Sequence, residues 1–277
     1  MVTDRDPING YVGVFQIPRG AARTVPKNGV TQMNEKTPTQ SAAAPKHPPH
    51  VDGLLLDYQD LLPGDILLFR AIDPDPLARR VSKTIGSPYT HAGIYLGGGE
   101  LIEAGDPRIE IRRLSSHDKE DSVIGVFRSQ NTFLDDRVRA LREFAETLVR
   151  NGAEYDWDGV RAFRKVRTQL EEELFEILKR DYGKVLTKSE LDQRSYFCSA
   201  LIVACYIVSG VIGDTAQLAY KADAFSPADL HEDPTFGWFL GYITSQKNEI
   251  PADDPLLNTT LWRDVEETPW WAGRAPR

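Results

Sequence analysis

Beyond Val51 the chain alternates short apolar runs with turn signals, then shifts to longer stretches in which apolar residues recur three and four apart. After Leu62-Pro63-Gly64, the run Asp65 to Phe69 (DILLF) predicts a short buried strand, and the prolines at 74 and 76 interrupt the segment after it. His91 to Leu96 (HAGIYL) and Glu100 to Ala104 (ELIEA) flank glycines 97, 98 and 99. That pattern predicts a hairpin, because glycine accepts the positive φ that tight turns demand. Ile109 to Arg113 and Ser122 to Arg128 are two further strand candidates. The period then lengthens. Val138, Leu141, Ala145, Leu148 and Val149 predict a helix that stops near Gly152, and Phe163, Val166, Leu170, Leu174, Ile177 and Leu178 predict a second. In the second, Arg161, Arg164, Lys165 and Arg167 precede Glu171, Glu172 and Glu173, an order opposed to the helix dipole, so packing or a partner is expected to hold it. A third, wholly apolar helix opens at Ser195-Tyr196-Phe197-Cys198 and ends near Gly210. A β-rich middle followed by helices predicts an α+β fold, an antiparallel sheet packed against an apolar helix.

Composition separates the ends from this body. The first fifty residues hold seven of the 18 prolines and the tract SAAAPKHPPH without sustained periodicity, which predicts a flexible arm over residues 1–52. The folded domain is placed at 53–245 and a Trp-rich C-terminal extension at 246–277. Four of the five tryptophans (238, 262, 270 and 271) lie in the last forty residues. Packing the extension is their ordinary role, and a sugar-stacking or membrane-interface surface is the alternative. The net charge of −8 argues against a nucleic-acid partner, which calls for a basic face. Two cysteines make no disulfide framework, so a reducing compartment or no need of staples is implied. No leader is read at the start, and the longest apolar stretch, Ala200 to Ile212, is too short to cross a bilayer. A cytoplasmic location is the default expectation, with signal-independent export and peripheral membrane contact left open.

Cys198 falls where a polar loop becomes an apolar helix, with Ser195 expected to cap it. In a first helical turn, free N–H groups and the dipole favour thiolate, the reactive form. Cys205 lies about 10 Å further along the helix, too far for a disulfide with Cys198, and reads as core. Of five histidines, His47 and His50 lie in the arm, His117 in a charged loop, and His231 after a turn. His91 opens a strand, a rigid mount, and is the best base. If Leu96-Gly97-Gly98 is the turn, Tyr95 pairs with Gly99 and His91 stands opposite Glu103, whereas a two-residue turn would put them on opposite faces. Glu103 lies inside an apolar strand and needs a hydrogen-bonded partner. Together the three make a thiol, an imidazole base and an orienting carboxylate.

The segments LLPGDILLF, THAGIYLGGGELIEA, EYDWDG, YFCSALIVACY and FSPADL resemble the permuted NlpC/P60 papain-like family. The nearest likeness is to its bacterial YiiX/YebB-like members, and lecithin:retinol acyltransferase is a distant relative. The match spans about residues 54 to 232, and His91, Glu103 and Cys198 fall on the family's three catalytic positions in its permuted order. The resemblance implies a circularly permuted papain-like fold, with Gly64-Asp65 at the turn into the first strand and Tyr155-Asp156 at a strand start after the helix. A helical insertion at about 158–194 departs from compact relatives. Tyr196 is a candidate for lining the cleft or assisting an oxyanion, and equally for an aromatic wedge at the helix start. The Cys198 N–H is the natural oxyanion donor.

The expected function is a cysteine-dependent acyl hydrolase, amidase or peptidase in type, working through a thioester on peptide or cell-wall amides. The alternatives are a phospholipid-directed thiol lipase or acyltransferase, and an inactive binding module. No metal and no cofactor is expected, and the partner is a small-molecule, peptide or lipid acyl substrate.

Overall fold

The computed structural model describes residues 54–119, 122–244, 249–259 and 261. The N-terminal arm over residues 1–52 and the tryptophans at 262, 270 and 271 lie outside the described residues.

Six strands form one antiparallel sheet: β1 (Ile66–Ala71), β2 (His91–Gly97), β3 (Glu100–Ala104), β4 (Ile109–Arg113), β5 (Ser122–Arg128) and β6 (Trp238–Thr244), in the order β4-β3-β2-β1-β5-β6. The first five match the apolar runs of the sequence. β6 has no counterpart among those runs, and Trp238 belongs to it, paired with Arg128. Strand alternation divides the apolar residues between two faces. Ile66, Leu68, Ala92, Ile94, Ile102, Ala104 and Phe127 join the core under the helices, whereas Leu67, Phe69, Tyr95, Leu101, Val126 and Ile243 form a smaller cluster behind the sheet. The sheet belongs to an α+β protein, as its element order indicated.

The hairpin is built differently from the expected one. Gly98 and Gly99, at φ 64° and 78°, make a two-residue turn closed by the Gly97–Glu100 pair. Both central positions lie in the left-handed region, where glycine carries no Cβ penalty. Such a turn alone would set His91 and Glu103 on opposite faces. A bulge between Tyr95 and Gly97 shifts the register by one, so that Tyr95 pairs with Leu101 and Gly93 with Glu103. His91 and Glu103 therefore share a face as diagonal neighbours, not as a directly opposed pair. Gly93 faces Glu103 with no side chain, and a Cβ there would meet Leu101 Cδ1 at 2.8 Å.

The helices are α1 (Pro76–Ile85), α2 (Asp135–Arg150), α3 (Trp157–Asp181), α4 (Lys188–Asp192), α5 (Cys198–Val208) and α6 (Pro227–Glu232). The prolines after β1 do not only interrupt: Pro76 starts α1, where its missing N–H is no loss, and Asp75 caps it by accepting from Ala78 N. α5 buries every residue from Cys198 to Ile207, as a helix apolar on all sides must. α2 covers it through Leu141, Phe144, Ala145 and Leu148. α3 and α4 fill the region expected as a helical insertion. α3 buries no residue fully and is held laterally: Arg167 Nη1 lies 2.5 Å from both Asp229 oxygens on α6, and Phe163 meets Phe197 edge-on. Among the described residues, no helix is long and apolar enough to cross a membrane.

Candidate active site

Cys198 is the first residue of α5, 5% exposed, and its cap is Phe197 with no side-chain hydrogen bond. Ser195 is therefore not the cap. It lies exposed two residues too early, in a stretch drawn extended by the Tyr155–Tyr196 bridge. The consequence for chemistry is favourable, since the cap side chain does not engage the first-turn N–H groups around the thiol. Cys198 Sγ lies 4.0 Å from Thr90 O, across from the residue that leads into His91.

His91, at the start of β2, turns its Nε2 to Glu103 Oε2 at 2.9 Å, and the residue before it, Thr90, places its carbonyl 4.0 Å from Cys198 Sγ. Phe69, paired with His91 across β1, packs its ring 5.3 Å from the imidazole and limits its rotation. Burial alone would favour neutral imidazole. The hydrogen bonds to Cys198 and Glu103, and their charges, outweigh it and raise the His91 pKa to about 10.

Glu103, 3% exposed, is more heavily supported than the sequence pattern implies. Burial pushes its carboxyl up, but hydrogen bonds from His117 and His91 and their charges prevail and hold it well below the usual carboxylate range. Arg112 Nη1 from β4 donates to Oε1 at 2.9 Å, and His117 Nε2 lies 3.4 Å from Oε2. His117 is not the unmounted loop residue that its charged surroundings suggest. It is 4% exposed within a 3₁₀ turn (Leu114–Lys119), its ring 4.8 Å from the Phe69 ring. The sequence signal for Arg112 is its place in a strand beside that of Glu103. Only the folded turn reveals His117.

Other candidates take packing roles. Tyr196 is fully buried, donates its hydroxyl to Leu191 O at 2.8 Å and meets Phe144 edge-on, so it is the wedge and not a cleft residue. Burial raises the Cys205 thiol far above its ordinary value, which suits core. His231 packs near the rings of Tyr89 and Phe127, and burial lowers its pKa. Asp65 is buried in an ion pair with Arg128, whose Nη2 donates at 2.7 Å. Tyr155 forms only an isolated bridge, not a strand start, and Asp156 caps α3 by accepting from Gly159 N at 2.7 Å. Burial above all raises the Tyr155 phenol far above its ordinary value and keeps it protonated.

Thiol, imidazole and carboxylate thus converge from α5, β2 and β3 at one end of the sheet. Such a set can store a proton on the imidazole while presenting sulfur as a nucleophile. No protein-family model matches the chain, and no curated protein matches it in sequence.

Proposed function

We propose that the protein is a cysteine-dependent acyl hydrolase, amidase or peptidase in type, built on a circularly permuted papain-like domain. The observation that carries this reading is the His91 imidazole held 2.9 Å from the buried Glu103 carboxylate next to Thr90, whose carbonyl faces Cys198 Sγ at 4.0 Å. The order of the three residues along the chain, and the likeness of the hairpin and cysteine segments to the permuted NlpC/P60 family, support it.

In the proposed cycle, Cys198 thiolate attacks the acyl carbon and the C=O π pair moves onto oxygen. The Cys198 N–H, in the first turn of α5, is the natural donor to that oxyanion. The oxyanion collapses, the C–N bond breaks, and imidazolium His91 gives its proton to the departing amine. A thioester remains. Neutral His91 then takes a proton from water, hydroxide adds to the thioester carbon, and the C–S bond breaks to return thiolate and a free acid. Each proton and bond in the cycle is handled by the chain's own groups and water.

The test incubates the protein and Cys198→Ala with peptidoglycan fragments and, separately, with phospholipid vesicles, and weighs the products by mass spectrometry. Cleaved amides seen only with the intact thiol are expected. Products from lipid alone would replace the amidase reading with the lipase or acyltransferase one, and no product together with an unreactive Cys198 would leave a binding module.

A further inference from the structure

Asp254 takes no part in the site, yet it is tied to the strands that build it. It belongs to the segment after β6, where it caps a 3₁₀ turn (Pro255–Asn258) by accepting from Leu256 N at 2.9 Å. Its carboxylate has no exposed surface. Arg70 Nη1 donates to it at 2.8 Å, Tyr242 Oη at 2.9 Å, and Tyr89 Oη lies 3.0 and 3.1 Å from its two oxygens. Arg70 Nη2 also reaches Asp253 at 2.9 Å. A buried carboxylate persists only when its acceptor capacity is filled, so these donors and Asp254 fix one another. Leu256 presses the same segment down, its Cδ1 against Gly125, where a Cβ would come within 2.5 Å.

Two of these donors are neighbours of the site. Arg70 follows Phe69, which pairs with His91 and packs on its ring. Tyr89 lies two residues before His91, in the connection between α1 and β2. The rest of that connection is held by Gly86 N and Ser87 N donating to Ser82 O at 2.9 and 3.2 Å, Tyr89 N to Ser87 Oγ at 3.2 Å and Thr90 N to Phe69 O at 3.2 Å. Thr90 O is the group facing Cys198 Sγ. The third donor, Tyr242, is on β6, two strands beyond β1 on the side away from β2.

We propose that Asp254 is a positioning residue for the thiol site: the segment after β6 closes onto the sheet and, through Tyr89 and Arg70, fixes the approach to β2 that sets Thr90 and His91 against Cys198. The inference rests on the thiol reading above and extends it by making the site depend on a segment nearly sixty residues beyond the cysteine. A misplacement of about 1 Å in such a pair costs on the order of a hundredfold in rate, so a loosely held connection is enough to silence it.

The test compares Tyr89→Phe with Tyr242→Phe in the full chain. Each removes one hydroxyl from the same carboxylate with little change of shape, and Asp254→Asn accompanies them. The readouts are thermal melting and the pH profile of Cys198 alkylation by iodoacetamide. Tyr89→Phe and Asp254→Asn are expected to slow alkylation below neutral pH by on the order of tenfold or more. Tyr242→Phe should melt at a temperature as low as that of Tyr89→Phe while its alkylation profile stays that of the wild type. Indistinguishable profiles for the two tyrosine variants would overturn the proposal and leave Asp254 a stability element. A wild-type Cys198 that alkylates only as an ordinary thiol would overturn the thiol reading itself, and this inference with it.

Discussion

Replacing Glu103 by glutamine deletes one charge from a buried site while keeping its shape and an oxygen acceptor. In the wild-type protein the carboxylate is 2.9 Å from His91 Nε2 and 3% exposed. A hydrogen bond to a charged group contributes roughly 1.5–3 kcal/mol, which is about 10- to 100-fold in the population of the thiolate–imidazolium pair. Arg112 Nη1 donates to the other carboxylate oxygen at 2.9 Å, and the glutamine amide oxygen can keep that contact, so the loss read out is that of the charge facing His91. The His91 pKa, raised to about 10 by Cys198 first and Glu103 second, should fall by more than one unit. The assay is the rate of iodoacetamide alkylation across pH, with the labelled peptide identified by mass spectrometry. Cys205 is fully buried and its thiol pushed far up, so it stays silent in the folded protein. Wild-type Cys198 should be alkylated in the folded protein, and Glu103→Gln should lose most of that reactivity at low pH, where the imidazole holds the proton. Superimposable profiles would refute the assignment of Glu103 as the group that sustains the imidazolium.

The same geometry sets two further outcomes. Because the folded Glu103 pKa is lowered, its contribution to stability is full above its ordinary value near 4.5 and is lost as pH falls below it; for His91 the contribution is full below 6.5 and is lost as pH rises through about 10. Urea unfolding across pH should show both flanks in the wild type and a flattened acid flank in Glu103→Gln, and an unchanged acid flank would count against the buried ionised carboxylate. Gly98→Val places a β-branched residue at φ 64° with nothing within 4 Å of the new Cβ, so it should cost roughly 1–2 kcal/mol from backbone strain alone. A stability equal to that of the wild type would argue against the two-residue turn.

The sequence by itself determined what repeats over a few residues. Short apolar runs bounded by turn signals marked β1 to β5, a period of 3.6 marked α2 and α3, and a continuous apolar stretch marked α5, because burial is written into local spacing and composition. It also supplied the three candidate site residues, since a cysteine at a helix start, a histidine at a strand start and a carboxylate inside an apolar strand each violate the local pattern in a chemically specific way. Where the chain departs from those periods, legibility stopped. The bulge at Leu96 cannot be read from LGGGE, yet it alone restores His91 and Glu103 to one face after a two-residue turn. α1 was hidden because Pro76 reads as a breaker until the cap at Asp75 shows that it occupies the first turn. The tertiary structure decided the rest. It closed the 108 positions between Thr90 and Cys198, turned His117 and Arg112 onto Glu103, and brought Asp254 back to Tyr89 and Arg70. The physical reason is the same in each case: a buried charge is tolerable only among partners, and those partners come from elements whose meeting depends on sheet order and helix packing, which no local pattern encodes.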